Sequence, residues 1–101
     1  MKLFYVYIVK CSDNTYYTGF TSNLEKRIMD HNSGIHDNAY TLKRRPVELK
    51  WFESFTDPNQ AIAVEKQIKG WSHKKKKALI EEKWEDLVEF SKNYRNRNKK
   101  S

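Results

Sequence analysis

Arg27 and His31 are four residues apart in a segment predicted to be helical, so both side chains project from one face of that helix. An arginine offers a fixed fork of donors to a phosphate, and a histidine can donate a hydrogen bond or accept a proton. Leu24 and Ile28 define the predicted buried face, which places Arg27 at the margin of the core. The pair is therefore a candidate phosphate site. The alternative is an arginine and a histidine on a solvated face.

Tyr7 and Tyr17 form a second group of candidates, because a short hairpin would bring their phenols close together. Tyr5 and Tyr7 are two residues apart and share one face of a predicted strand. Tyr17 follows ten residues after Tyr7, on the strand that is predicted to pair with the first. The alternative interpretation is ordinary, since tyrosines favour strands and fill cores with a hydrated hydroxyl edge.

Glu65 is a carboxylate on or beside the apolar stripe of a predicted helix, between Ala61 and Ile68. A carboxylate in that position must be paired, protonated or bound to a metal to offset the cost of desolvation. Mg²⁺ keeps most of its waters and is often held by one or two carboxylates together with substrate phosphate. Glu65 is therefore compatible with a metal ion that binds fully only when nucleic acid is present. The alternative is an ion pair with Lys69, four residues on.

Positive charge is concentrated in three clusters, which favours a polyanionic partner over a solvated lysine-rich surface. The 101 residues include 20 Lys or Arg and 13 Asp or Glu, for a formal net charge of +7. Residues 66–77 hold six lysines and no acid, residues 43–45 are all basic, and a third cluster lies in residues 95–100. The residues expected to contact nucleic acid are Lys43, Arg44, Arg45, Lys69, Lys74 and Lys75.

Length and composition fit one domain with a packed core, since 38% of the residues are hydrophobic and 14% are aromatic. The longest apolar run covers residues 3–9, far short of the roughly 20 residues of a membrane span. The start of the chain lacks the features of a signal peptide, and the basic stretches lack a wide apolar face for a membrane surface. A single cysteine, Cys11, excludes an internal disulfide. We expect a reducing, cytoplasmic compartment, no membrane partner and a monomer.

Other kinds of chemistry find little support in the sequence. The three glycines are far apart, so there is no glycine-rich phosphate loop, and no Ser-His-Asp order suggests a hydrolase. His36 and His73 have no partners at metal-ligand spacing, which places both on the surface. Cys11 is expected to be a small apolar filler near a turn.

The predicted elements that must position these residues follow the order β-β-α-β-α-α. Residues 3–9 and 15–20 are aromatic and β-branched and predict a hairpin. A capping box with Ser22 at the N-cap and Glu25 three residues later predicts a helix to about residue 32, ended by Gly34. Residues 35–45 show no clear period and are predicted to be a loop, and residues 47–52 alternate as a third strand.

The second half of the chain is predicted to be helical. Asp57 and Pro58 predict a helix that runs to residue 68 or 69, and Ser72 is expected to cap another one through about residue 82. Apolar residues in 84–90 have helical spacing and predict a last helix that docks on the body, followed by a frayed basic tail. These elements predict a small α+β domain over residues 1–82, with an antiparallel sheet, and a C-terminal helix and basic tail over 83–101.

Together these residues resemble the signatures of the GIY-YIG nuclease superfamily. The segments that carry the resemblance occur in the family order: Tyr5-Val6-Tyr7, Tyr17-Thr18-Gly19, Asn23 to Arg27 with His31-Asn32, and Ala61 to Lys69 around Glu65. His31-Asn32-Ser33-Gly34 and Arg44-Arg45-Pro46 are similar to the small, single-domain bacterial members. The resemblance implies a three-stranded antiparallel sheet flanked by helices.

The resemblance also implies an activity, namely metal-dependent hydrolysis of phosphodiester bonds in nucleic acid, with DNA as the expected substrate. Glu65 would hold one Mg²⁺ or Mn²⁺ ion, and Arg27 would bind the scissile phosphate. Tyr17, with Tyr7, would orient or deprotonate the attacking water, and His31 would share in proton handling or phosphate contact.

The chain departs from the family pattern at three places. Tyr5 replaces the glycine of the first signature, and Thr18 replaces the isoleucine of the second. Many active members carry an asparagine after the metal-binding glutamate, and here none occurs between Glu65 and Asn93. The alternatives are therefore a DNA-binding module that retains the fold without turnover, or a protein-interaction module that uses the apolar residues in 84–90.

Overall fold

The structure of the protein is a computed structural model that describes residues 1–34 and 39–81. Its elements keep the predicted order, with one short helix added before the third strand. They are β1 (Phe4–Lys10), β2 (Tyr16–Thr21), α1 (Leu24–Ser33), α2 (Ala39–Leu42), β3 (Glu48–Phe55), α3 (Pro58–Lys69) and α4 (His73–Glu81). The predicted α+β class, with a three-stranded antiparallel sheet flanked by helices, is confirmed.

β1 is the central strand of the sheet, whose strand order is β2-β1-β3. Tyr7 at the middle of β1 lies opposite Gly19 of β2 and Phe52 of β3. The hairpin between β1 and β2 is closed by the Cys11 amide, which donates to the Thr15 carbonyl at 2.8 Å. The predicted hairpin is therefore present, and it places the first and second tyrosine signatures on neighbouring strands.

The sheet has a hydrophobic core on each of its faces, because side chains of β1 alternate between them. On one face Val6 and Ile8 pack with Ala61 of α3. On the other face Tyr7 and Val9 form a second cluster, against which half-buried residues of α1 pack. Helices α1 and α3 therefore flank opposite faces of the sheet, and Tyr7 lies on the α1 face.

α1 begins after Asn23, so the prediction that Ser22 is its N-cap was wrong by one residue. Asn23 has an extended backbone (φ −142°, ψ 91°), and its side-chain oxygen accepts the Lys26 amide at 3.2 Å. Serine and asparagine are both strong N-caps, so the sequence pattern could not separate them. Gly34 ends the helix as predicted, in the left-handed conformation (φ 76°) that favours glycine.

α2 lies inside the segment that was predicted to be a loop, so that prediction was wrong for residues 39–42. A helix of four residues is too short to show an apolar period. Residues 35–38, which include His36, lie outside the described part of the chain. After α2, Asn32 fixes the path into β3, because its amide group accepts the Val47 N–H at 2.6 Å and donates to the Val47 carbonyl at 3.0 Å.

α3 and α4 begin as predicted, after Asp57 and after Ser72. The Asp57 carboxylate accepts the Asn59 amide at 2.9 Å, and the Ser72 hydroxyl accepts the Lys75 amide at 3.1 Å. The apolar segment 84–90, the basic tail and the proposed boundary after residue 82 all lie outside the described residues. Within residues 1–34 and 39–81, no helix has both the length and the apolar composition needed to cross a bilayer.

Candidate active site

Tyr7 is fully buried, and its ring crosses the neighbouring strand at Gly19. A Cβ atom at position 19 would collide with the Tyr7 hydroxyl and with its ring. A glycine is therefore required there by close approach rather than by backbone conformation. This packing directs the Tyr7 hydroxyl past the edge strand and towards α1.

The Tyr7 hydroxyl meets His31 of α1 in a buried hydrogen bond. The distance between Tyr7 Oη and His31 Nε2 is 2.8 Å, and both side chains are almost completely inaccessible. The other ring nitrogen, His31 Nδ1, lies 3.1 Å from Thr41 Oγ1 of α2. The predicted tyrosine and histidine therefore form a chain of hydrogen bonds that includes Thr41, a residue the sequence did not single out.

Arg27 contacts the same hydroxyl from the preceding turn of α1. Its Nε donates to Tyr7 Oη at 3.4 Å, and the guanidinium is half-buried. This hydrogen bond is the largest cause that raises the pKa of Arg27, against a lowering by burial. The spacing of Arg27 and His31 by four residues thus brings both to one phenol.

Tyr17 lies beside this group on β2, on the same face of the sheet as Tyr7. Its ring centroid is 6.5 Å from that of Tyr7 and 5.6 Å from that of His31. On its other side it stacks on Tyr40 of α2, with centroids 5.7 Å apart. The predicted proximity of the two phenols is therefore present in the structure.

Burial raises the pKa of Tyr7 to about 12, and burial is the largest cause. The hydrogen bond from Arg27 and its positive charge lower this pKa, while Tyr17 and the negative charge of Glu65 raise it. At neutral pH the Tyr7 hydroxyl therefore keeps its proton. A neutral phenol at this position can pass a proton along the hydrogen-bond chain but is a poor base by itself.

Glu65 lies on α3, which flanks the face of the sheet opposite to Tyr7, and its negative charge is the smallest of the causes that raise the pKa of Tyr7. Its side chain is 16% exposed, and its Oε2 lies 3.1 Å from Lys69 Nζ. The ion pair offered as the alternative role of Glu65 is thus formed. It does not exclude metal binding, because an ion pair with a half-exposed lysine is weak and can be exchanged.

The donor set around Glu65 fits a metal ion that is only partly held by the protein. In the described ranges, no three His, Cys, Asp or Glu side chains come close enough together to form a ligand cage. A lone, partly accessible carboxylate matches the way Mg²⁺ is held by one or two carboxylates, its own waters and substrate phosphate. Glu65 is therefore the candidate ligand, and the residues present fit such an ion.

The predicted nucleic-acid contacts lie in two separate places. Lys43 and Arg45 follow α2 and are exposed, and Arg44 between them is half-buried. Arg44 donates to Asp13 at 2.8 Å and lies over the Tyr40 ring, so part of its role is structural. The other set, at the end of α3 and in the first turn of α4, consists of Lys69, Lys74 and Lys75, and all three are exposed.

Sequence reasoning missed two residues that support the site, Tyr40 and Thr41 of α2. Both lie in a polar segment without a period, and nothing local marks their contacts with Tyr17 and His31. No structural role was predicted for Gly19 from the sequence either, although a glycine inside a strand often marks a place where another group approaches the backbone closely.

Comparison with known proteins identifies the class to which this domain belongs. Residues 3–78 match the family model described as the GIY-YIG catalytic domain. This is a family of nucleases, and its nucleases are generally metal-dependent.

Similar proteins come from both bacteria and archaea. The UPF0213 protein SH2523 of Staphylococcus haemolyticus is 47% identical over 83 residues, which cover 82% of this chain and 100% of that protein. The UPF0213 protein HQ_3675A of Haloquadratum walsbyi is 45% identical over 78 residues, which cover 77% of this chain and 86% of that protein.

Two solution NMR structures are also similar. The UPF0213 protein BH0048 of Bacillus halodurans has a TM-score of 0.51 and 36% identity, covering 77% of this chain and 82% of that one. The protein EF2693 of E. faecalis has a TM-score of 0.53 and 35% identity, and the match covers 75% of this chain and 80% of that one. The chain belongs to the GIY-YIG family and, within it, to the UPF0213 proteins.

Proposed function

We propose that the protein is an endonuclease that hydrolyses phosphodiester bonds in DNA with the help of one divalent ion, Mg²⁺ or Mn²⁺. The observation that carries this proposal is the environment of the Tyr7 hydroxyl. It lies 2.8 Å from His31 Nε2 and 3.4 Å from Arg27 Nε, and the charge of Glu65 acts on it from α3. One phenol therefore joins a candidate phosphate-binding cation to a proton acceptor, whereas the candidate metal ligand Glu65 affects it only through its charge.

Arg27 binds the scissile phosphate in this mechanism. Its Nε is occupied by Tyr7, and the other guanidinium donors are available to phosphate oxygens. The positive charge stabilises the charge that develops on those oxygens in the transition state. Because the hydrogen bond with Tyr7 raises its pKa, Arg27 stays charged throughout.

Proton transfer runs through the tyrosine and the histidine. Tyr17 orients the attacking water, whose oxygen bonds to phosphorus as the P–O bond to the leaving oxygen breaks. The water proton passes to Tyr7 Oη while Tyr7 gives its own proton to His31 Nε2, and the leaving oxygen takes up a proton from solvent. The phenol is neutral before and after this step, which agrees with a pKa raised to about 12. His31 ends as an imidazolium and loses its proton to solvent when the product leaves.

Glu65 is the residue that would hold the metal ion, together with water and substrate phosphate oxygens. When bound, the ion supplies positive charge that neutralises the phosphate in the transition state. The basic residues near α2 and α4 would attract the phosphate backbone on either side.

The experiment compares cleavage of plasmid and oligonucleotide DNA by the wild-type protein and by Glu65→Gln. Cleavage is expected with Mg²⁺ or Mn²⁺, and we expect it to be lost with chelator and in Glu65→Gln. The matched control is Glu53→Gln, which makes the same charge change at an exposed position of β3. This variant is expected to cleave DNA as the wild type does. Equal cleavage by Glu65→Gln and wild type would refute the metal-ligand assignment, and no cleavage of any substrate would refute the activity.

A second candidate function is a DNA-binding module without turnover. Two observations favour it: the Lys69 ammonium already neutralises Glu65 at 3.1 Å, and the chain carries an excess positive charge of +7. Salt-dependent binding without cleavage under any metal condition would support this function. Absence of binding at low salt would exclude both candidates.

The unit proposed to carry the activity is residues 1–82, with residues 83–101 as an added C-terminal segment in a cytoplasmic protein. Deleting 83–101 is expected to preserve cleavage and to lower thermal stability, since apolar residues in 84–90 are expected to dock on the body. A change of solution size upon deletion would instead support a role of this segment in protein interaction.

A further inference from the structure

We propose that Thr41 is a positioning residue for His31: its hydroxyl oxygen accepts the Nδ1 hydrogen and so fixes the tautomer that leaves Nε2 free to accept a proton from Tyr7. The inference rests on the proposed function for its catalytic meaning. Its structural content, the tautomer of one buried histidine, can be measured without any activity.

The geometry places His31 between two hydroxyl groups. His31 Nε2 is 2.8 Å from Tyr7 Oη, and His31 Nδ1 is 3.1 Å from Thr41 Oγ1. All three side chains are at most 1% exposed, so water does not readily replace either bond. A neutral imidazole has one hydrogen for its two nitrogens, and it must donate to one hydroxyl and accept from the other.

The hydrogen on Tyr7 favours one of the two tautomers, the one whose Nδ1 hydrogen Thr41 can accept. Arg27 Nε donates to the Tyr7 oxygen at 3.4 Å, and burial keeps the phenol protonated at neutral pH because its pKa is raised to about 12. The phenol hydrogen therefore needs an acceptor, and the nitrogen at 2.8 Å is His31 Nε2. An Nε2 that accepts carries no hydrogen, so the ring hydrogen is on Nδ1 and points at Thr41.

The opposite tautomer is disfavoured by the same contacts. It would direct the Nε2 hydrogen at a Tyr7 oxygen that already accepts from Arg27, and it would leave the phenol hydrogen without the acceptor nearest to it. An unsatisfied hydroxyl in a buried site is energetically unfavourable. Thr41 therefore completes a chain in which the Tyr7 hydrogen and the His31 ring hydrogen each face an acceptor.

The location of Thr41 supports a positioning role, because α2 is anchored to the hairpin between β1 and β2. The Arg44 guanidinium donates to Asp13 at 2.8 Å and to the Tyr40 carbonyl at 2.8 Å. The Arg44 amide donates to the Thr41 carbonyl at 2.9 Å. The backbone at Thr41 is thus held against the sheet, and its hydroxyl keeps a defined place beside the imidazole.

The experiment measures the ¹⁵N resonances of the His31 ring by NMR, assigned by their loss in His31→Gln. In the wild-type protein we expect a protonated Nδ1 and an unprotonated Nε2. In Thr41→Val, which keeps the shape and removes the oxygen, we expect a mixture of tautomers. Thr41→Ser restores the oxygen and should restore the wild-type pattern, while Thr18→Val removes a buried hydroxyl on the other face and should leave it unchanged.

Steady-state cleavage provides the second measurement. Thr41→Val should lower kcat by about 10- to 100-fold, the range typical for partners that orient a functional histidine, with little change in KM. A wild-type His31 with protonated Nε2 would overturn the inference, as would a tautomer that is the same in Thr41→Val. A protonated Nε2 in the wild-type spectrum would contradict the inference without any variant. The inference therefore stays testable even if a variant fails to fold. The expected wild-type tautomer and its change in Thr41→Val, without any DNA cleavage, would refute the proposed function and leave the role of Thr41 standing.

Discussion

Tyr7 is the residue on which the candidate site depends, because its hydroxyl is shared by Arg27 and His31. It is 0% exposed and takes the space that a side chain at Gly19 would need. A buried phenol between a cation and an imidazole is suited to relay a proton rather than to hold a negative charge. Substitution of Tyr7 should therefore affect both the chemistry and the pH dependence of stability.

The free energy of unfolding is expected to fall as the pH rises from about 10 to about 12, because Tyr7 has a raised pKa in the folded state. A raised pKa means that the stabilisation is complete below the unfolded pKa of 10.0 and is lost as the pH passes through the folded value. Tyr7→Phe lacks this group, so its difference from wild type should shrink by on the order of 3 kcal/mol over that range. Denaturant unfolding at a series of pH values measures the two curves, and parallel curves would contradict the prediction.

The sequence identified four candidate residues that lie together in the structure, but it did not identify the residues that support them. Arg27, His31 and the two tyrosines are recognised by type and order, because the chemistry restricts what can stand there. The contact of Thr41 with His31 was not predicted, because the two residues are ten positions apart and no local sequence pattern indicates such a contact.

The start of α1 has two candidate N-cap residues, Ser22 and Asn23, and the structure shows that Asn23 takes this role. Asn23→Ala is expected to lower the free energy of unfolding by about 1 kcal/mol, because it removes the acceptor of the Lys26 amide. Ser22→Ala is the matched control and should change it by less than about 0.5 kcal/mol, as for an exposed position without a structural role. Thermal or denaturant unfolding measures both, and a larger loss for Ser22→Ala would restore the capping box predicted from the sequence.

Within α3, Glu65 forms an ion pair with Lys69, which follows one helical turn later. Their side-chain atoms are 3.1 Å apart, and half of the Lys69 side chain is exposed. A pair with one half-exposed partner is worth about 0.2–1 kcal/mol, so it competes with a divalent ion without excluding it. Lys69, which was expected to contact nucleic acid, thus also holds the candidate metal ligand.

Replacing Lys69 should therefore strengthen metal binding. Lys69→Met is expected to lower the Mn²⁺ concentration for half-saturation by about two- to fivefold, the equivalent of the ion-pair energy. Electron paramagnetic resonance of free Mn²⁺ measures this without substrate. Lys66→Met removes a similar charge from the same helix and is expected to have a smaller effect, since its side chain is exposed and forms no ion pair within the described residues. Equal effects of the two variants would mean that general electrostatics, and not the pair, sets the affinity.

Elements were predictable where the pattern is long. The apolar and aromatic residues of β1 predicted a strand, and Asp57 with Pro58 marked the start of α3. α2 escaped prediction because four residues cannot express a period, and its stability comes from the contacts of Arg44 with Asp13 and Tyr40. Tertiary contacts of that kind are invisible in a local pattern.

In the molecule as a whole, the hairpin turn of residues 11–15 connects the two basic regions. On one side Arg44 donates to Asp13 at 2.8 Å. On the other side the His73 Nε2 of α4 lies 3.0 Å from the Asn14 carbonyl, and its ring stacks on Tyr16 with centroids 4.5 Å apart. The net charge and its clustering could be predicted from the sequence. The contacts of the hairpin turn with both basic regions could not, because they join residues up to 59 positions apart.

The two basic regions should consequently respond differently to substitution. Lys74 and Lys75 are exposed at the start of α4 and are expected to contact phosphates, so the double variant Lys74→Gln/Lys75→Gln should reduce the slope of log K against log salt by about 2. Fluorescence anisotropy with labelled DNA, in the Glu65→Gln background to prevent cleavage, measures this slope.

The control double variant Lys2→Gln/Lys50→Gln makes the same charge change outside the basic clusters and should leave the slope nearly unaltered. Arg44→Gln should instead lower the melting temperature, because it breaks the bonds to Asp13 and to the Tyr40 carbonyl. If the lysine double variant kept the wild-type slope while Arg44→Gln reduced it without loss of stability, the DNA path would run past α2 and not along α4. That outcome would move the nucleic-acid interface to the opposite side of the hairpin turn.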